Sequence, residues 1–128
     1  MFGAYEKKSM VAHLDYDPGA DDFIPIFVAA QQIEITAAQV VVANAVSAHT
    51  ANYFDLALYN GGTAGTATTA IAGTIGGTAG WSALTPTAFT VSNGTVTAGQ
   101  VVTLHYNEEG TGTFTSMIVQ LDYVTGQA

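Results

Sequence analysis

The sequence has no cysteine and no arginine. It has only two lysines, Lys7 and Lys8, and charged residues fill just 9% of its 128 positions. Each shortage removes a class of function. Without cysteine there is no disulfide, no thiolate metal ligand and no cysteine nucleophile, and the redox compartment leaves no mark. Grip on a phosphate backbone depends on lysine and arginine displacing condensed counterions. A chain with ten acidic residues, two lysines and a formal net charge of −8 is therefore expected to have no nucleic-acid partner. An anionic membrane surface is disfavoured for the same reason. A basic protein surface or a neutral glycan stays open. Long apolar runs are missing too. The longest, Phe23 to Ala30, is eight residues and is interrupted by Pro25, whereas a spanning helix needs about 20. No apolar run follows Lys7 and Lys8, so no secretory signal is read and a soluble chain is expected.

What is present is apolar and β-like. Hydrophobic residues make up 48% of the chain, more than a disordered acidic chain carries, and the length suits one domain with one core. With so few charges, the surface falls to Thr, Ser, Asn, Gln and Gly, which fits a subunit that packs against neighbours. Residues 1–32 hold both lysines, Asp15, Asp17, Asp21, Asp22 and the turn pair Pro18-Gly19. The first 22 of them have no period, and the whole segment reads as an N-terminal arm and lead-in. Residues 33–128 read as a β-sandwich domain of jelly-roll type. There Ile33 and Ile35 alternate with Glu34 and Thr36, and Val40-Val41-Val42 follows. Phe54, Leu56 and Leu58 share one strand face, Val102, Leu104 and Tyr106 another, and Met117, Val119, Leu121 and Tyr123 a third. Successive strand side chains point to opposite faces, so each pattern buries one side. Thr68 to Ile75, flanked by Gly-rich turns, reads as an edge strand. Ala88 to Val91 reads as a strand closed by a tight turn at Asn93-Gly94. Only Ile24 to Gln32 or Ala43 to Asn52 could hold a helical turn, and Pro25 opposes the first.

No catalytic or metal-binding set emerges. His13, His49 and His105 are far apart, and no H-x-H or H-E-x-x-H spacing exists, whereas zinc needs three or four converging ligands. Asp15 to Asp22 places carboxylates beside a glycine turn, as a calcium loop does. The third ligand position of such a loop is Gly19, however, and no glutamate stands at the twelfth. A solvated acidic turn, or a docking patch for a basic partner, is the better reading. Glu108-Glu109 is an adjacent pair, not two carboxylates facing each other across a substrate. Gly76-Gly77-Thr78-Ala79-Gly80 lacks the lysine of a phosphate loop. Asn93-Gly94-Thr95 has the form of a glycosylation sequon. Trp81 is assigned to the core or to a subunit interface, with sugar stacking as the remaining option. The expectation is a non-enzyme with no catalytic, cofactor or metal residues.

The strand ending Tyr59-Asn60-Gly61-Gly62, the Gly/Thr/Ala-rich connection after it, and Trp81-Ser82-Ala83-Leu84-Thr85-Pro86 carry a resemblance. So do the run Val96 to Leu104 and the strand Met117 to Tyr123. Over about 90 of the 128 residues, the chain resembles the small decoration, or cement, proteins of tailed-bacteriophage heads, although those often have aspartate where Gln100 stands. The resemblance implies a jelly-roll protomer, usually a homotrimer, assembled in the host cytoplasm and sitting on the outer capsid surface of the virion. There it would hold adjacent major capsid protein subunits together, with residues 1–32 reaching to a neighbour. The alternative is a carbohydrate-binding or receptor-binding β-sandwich module of a phage fibre, using Tyr53, Asp55, Tyr59 and Trp81.

Overall fold

A computed structural model describes residues 6–62 and 69–125. These form strands β1 (Glu6–Leu14), β2 (Asp22–Val28), β3 (Ile33–Val42), β4 (Tyr53–Asn60) and β5 (Thr69–Gly76). After a single 3-10 turn at Gly77–Ala79 come β6 (Thr87–Ala88), β7 (Thr95–Val96), β8 (Val101–Glu109) and β9 (Met117–Thr125). No α-helix occurs among the described residues, so neither candidate helical turn forms.

The strands make two antiparallel sheets. The first, sheet A, runs β1-β9-β3-β6, with β7 also paired to β3; the second, sheet B, runs β2-β8-β4-β5. Both β6 and β7 pair along β3, at Gln39–Val40 and at Ile33–Glu34 respectively. Counted as one interrupted strand, they give eight strand positions in the order of a jelly roll.

Alternation builds the core. From sheet B, Phe54, Leu56, Leu58, Val102, Leu104 and Tyr106 are buried; from sheet A, Val119, Leu121 and Met117 meet them, as the sequence pattern requires. In β3 the buried set is Ile33 and Ile35, then Ala38, Val40 and Val42. The phase changes because the register against β9 shifts between Ile35 and Ala37. This β-bulge inserts one extra residue, Thr36, and returns the following valines to the core. Thr69–Gly76 is an edge strand as expected.

Two expectations change. Residues 1–32 were expected outside the sandwich as an arm, yet β1 pairs with β9 along Glu6 to Leu14, and β2 pairs with β8 along Asp22 to Val28. Both are edge strands with few buried residues, so little hydrophobic alternation marks them. Pro25 is accommodated next to a register break on the edge strand β2, where a missing ladder donor is tolerated. Second, of the strand expected over Ala88 to Val91 only Ala88 lies in one, at the end of β6, and Asn93-Gly94 does not close a hairpin. Phe89 N–H donates to Ala38 O and Ile35 N–H to Gly94 O, while Ser92 and Asn93 N–H both donate to Ile71 O. Residues 89–94 thus leave β3 opposite its bulge, cross to the edge of sheet B at Ala72 and return to β3. They close one side of the sandwich.

Trp81 stands in the core, 6% exposed. Its ring stacks on Phe54 at 5.2 Å between centroids, and its Nε1–H donates to Phe54 O at 3.3 Å. Gly76 makes this possible: it has φ +85°, and a Cβ there would stand 2.2 Å from the indole ring.

Candidate functional site

Tyr106 lies on the inward face of β8, and its apolar ring packs between Phe54 and Phe114. A buried phenol needs partners for its hydroxyl, and the chain supplies them at one end of the sandwich. The hydroxyl lies 3.0 Å from Asp17 Oδ2, 2.8 Å from Glu108 Oε1 and 3.1 Å from Gly112 O. It owns a single hydrogen, so three acceptors compete for one donor. Burial, then Glu108 and Asp17, push the Tyr106 pKa far upward, and the ring stays a neutral donor.

Asp17, on the β1–β2 connection, is the hub of this end. Its Oδ2 also accepts from Thr113 Oγ1 at 2.6 Å and from Phe114 N–H at 3.2 Å, while its Oδ1 accepts from Gly19 N–H at 2.6 Å. Partial burial alone would raise the Asp17 pKa. The hydrogen bonds from Thr113, Gly19, Tyr106 and Phe114 outweigh it and hold the carboxyl below the ordinary value of 3.8. Nearby, Asp21 Oδ1 accepts from Glu108 N–H at 2.8 Å. Asp15 pairs instead with His13 at 3.2 Å. Asp17 and Asp21 therefore fasten the β1–β2 connection to β8 and to the β8–β9 loop, while Asp22, among the described residues, accepts only from its neighbour Phe23 N–H. They do not converge as a calcium loop would, and no group of three or more potential metal ligands occurs among the described residues.

The same end is electrically lopsided. Asp15, Asp17, Asp21, Asp22, Glu108 and Glu109 cluster where β1 ends, β2 begins and β8 ends, six of the ten carboxylates in the sequence. Lys7 and Lys8 stand at the other end of β1, opposite Val124 and Tyr123 of β9. There they border an open dish of about 530 Å³ with Ser9, Thr36 and Asp122. Ser9 and Gln120 hydrogen-bond the Asp122 carboxylate and lower its pKa.

The outward face of sheet B carries an aromatic cluster. Phe23 of β2 stacks on His105 of β8 at 4.3 Å, and Tyr59 of β4 meets both edge-on at 5.5 and 5.7 Å. Phe23 is 43% exposed. Of the residues named for a glycan face, Tyr53, Asp55 and Tyr59 are half-buried on β4, while Trp81 is sealed in the core. His13, His49 and His105 do not come together: His13 pairs with Asp15, His49 Nδ1 accepts from the N–H groups of Ala51 and Asn52, and His105 stacks on Phe23. The Asp17–Tyr106 network was missed from sequence, although a tyrosine at an inward position announces a buried hydroxyl in search of a partner.

A two-sheet sandwich with this strand order places the chain in the jelly-roll class. Comparison with solved structures agrees. A chain from the infectious bursal disease virus Gx strain matches with TM-score 0.53 and 16% identity over 99% of this protein, which spans 33% of that chain. A chain of the cyanophage Pam1 capsid asymmetric unit matches with TM-score 0.54 and 13% identity, over 96% of this protein and 86% of that chain. At such identities the likeness is one of fold. No protein-family model matches the sequence, and no curated protein does either.

Proposed function

We propose that this protein is a structural virion component. In this reading it binds the outer surface of a phage capsid as an oligomer, a homotrimer, and stabilises contacts between major capsid protein subunits. One observation carries the proposal: nearly the whole chain shares its jelly-roll fold with nearly the whole of a chain in a cyanophage capsid asymmetric unit. Fold does not fix function, but two features support the same role. The chain carries few charges, and the outward face of sheet B holds an aromatic cluster in which Phe23 is exposed, as a surface shared with neighbours does. The acidic end offers complementarity to a basic protein surface, which speeds and orients docking. Three linked copies would turn modest contacts into firm attachment, because the second and third form at high effective concentration. No catalytic role is assigned.

Electron microscopy of phage capsids with and without added protein tests the reading. Repeating density on the outer shell, and capsids that withstand heating better, are the expected results. Capsids that leave the protein in the supernatant would overturn it. The glycan-binding alternative has lost Trp81 as a stacking residue and rests on Tyr53, Asp55 and Tyr59; glycan binding abolished by Tyr59→Ala would revive it.

A further inference from the structure

The chain contains two Asn-Gly pairs, Asn60-Gly61 and Asn93-Gly94, and the fold treats them in opposite ways. Asparagine followed by glycine is chemically labile, because no Cβ shields the following backbone nitrogen from the asparagine side chain.

At Asn60 every participating group is held. Its Nδ2 donates to Gln100 Oε1 at 2.9 Å, its Oδ1 accepts from Gly62 N–H at 2.9 Å, and Gly61 N–H donates to Val101 O at 2.7 Å. Asn93 differs. Its side chain is exposed on the crossing between the sheets. Among the described residues, neither that side chain nor Gly94 N–H has a hydrogen-bond partner, although Asn93 N–H donates to Ile71 O at 3.2 Å and Gly94 itself is buried.

The geometry points to Asn93 as a site of spontaneous deamidation, with Asn60 protected by the fold. The Gly94 backbone nitrogen, losing its proton to base, attacks Cγ of Asn93. The bond from Cγ to Nδ2 breaks and ammonia leaves with the proton, closing a succinimide ring between residues 93 and 94. Water then adds at either ring carbonyl, a C–N ring bond breaks, and the nitrogen regains its hydrogen. The product is aspartate or isoaspartate, so asparagine and water become an acid and ammonia with no oxidant or reductant.

The site matters because Gly94 has no room to spare. A Cβ there would stand 2.2 Å from Ile35 O, and Gly94 O accepts from Ile35 N–H at 2.8 Å just before β7 joins β3. Isoaspartate lengthens the main chain by one methylene at this point. The added length must displace Gly94 and loosen β7 from β3, while ordinary aspartate adds only a charge.

The test is incubation of the native protein in mildly alkaline buffer, followed by digestion and peptide mass mapping. A protease other than trypsin is needed, since Lys7 and Lys8 are the only tryptic sites. The Asn93 peptide is expected to gain about 1 Da on the order of tenfold faster than the Asn60 peptide, because three hydrogen bonds must open at Asn60 first. In denaturant the two rates should converge. Gln100→Ala, which frees Asn60 Nδ2, should speed the Asn60 reaction severalfold and leave Asn93 unchanged. Equal rates in the native protein, or Asn60 reacting first, would overturn the assignment. So would a native preference for Asn93 that persists undiminished in denaturant, because the fold would then not be its cause.

Discussion

Gly76 and Trp81 are one unit at the residue scale, since the indole fills the space that any other residue at 76 would occupy. Gly76→Ala adds a Cβ at positive φ against the ring. It should lower stability by about 2 kcal/mol or more, through combined overpacking and backbone strain, as read by urea denaturation. Trp81→Ala empties the same volume and should cost about 3–5 kcal/mol. If Trp81→Ala melts like the native protein, the tryptophan does not hold this core together. Asp17 supplies a pH prediction. Its folded pKa lies below the ordinary 3.8, so the stability it contributes is present above that value and is lost as pH falls through the folded pKa. Asp17→Asn cannot ionise and should lose stability at neutral pH while showing a flatter acid limb. A melting curve against pH for both proteins reads this directly; identical acid limbs would remove Asp17 from the account.

Strand elements show where sequence reading succeeds and where physics hides the answer. β4, β8 and β9 were legible because each is an inner strand with three successive inward positions buried, so every second side chain there had to be apolar. In β3 the two halves were legible but not their joint: Ile33 and Ile35 are out of phase with Val40 and Val42, and only the pairing with β9 reveals that Thr36 absorbs the difference. Deleting Thr36 should turn the N-terminal half of β3 inside out, since a one-residue slip reverses every side chain. Circular dichroism of that variant is expected to show a loss of cooperative melting. β1 and β2 escaped detection because an edge strand contributes backbone hydrogen bonds while burying little. The crossing at 89–94 escaped because Asn93-Gly94 reads locally as a hairpin turn, whereas the partners of Ile71 and Ile35 lie far away in sequence.

Across the whole molecule charge is unevenly spread: six carboxylates gather at one end, while the two lysines at the other share it with Glu6, Glu34 and Asp122, and Lys8 pairs with Glu6. If the protein attaches to a capsid by its acidic end, as proposed, that attachment should weaken as ionic strength rises past about 0.15 M, where screening acts within roughly 8 Å. Replacing Glu109 and Asp22 with the corresponding amides should slow attachment without changing the melting temperature much, because neither side chain hydrogen-bonds β8 as Asp21 does. Attachment that ignores salt would place the contact on another face, with the aromatic outer side of sheet B next in line. The position of this end was not legible in the sequence. Asp15 to Asp22 and Glu108-Glu109 are 86 or more residues apart, and the pairing of β2 with β8, with the hydrogen bonds to Asp17 and Asp21, unites them.

The antiparallel pairing of β1 and β9 has a practical corollary. Thr125 sits across from Glu6, beside the lysines and at the far end of the sandwich from Asp17. A copy seated on a shell by its acidic pole would hold this corner out into the medium. A peptide or fluorophore grafted after residue 125 would then be carried like a flag on a mast, repeated wherever the shell offers a seat.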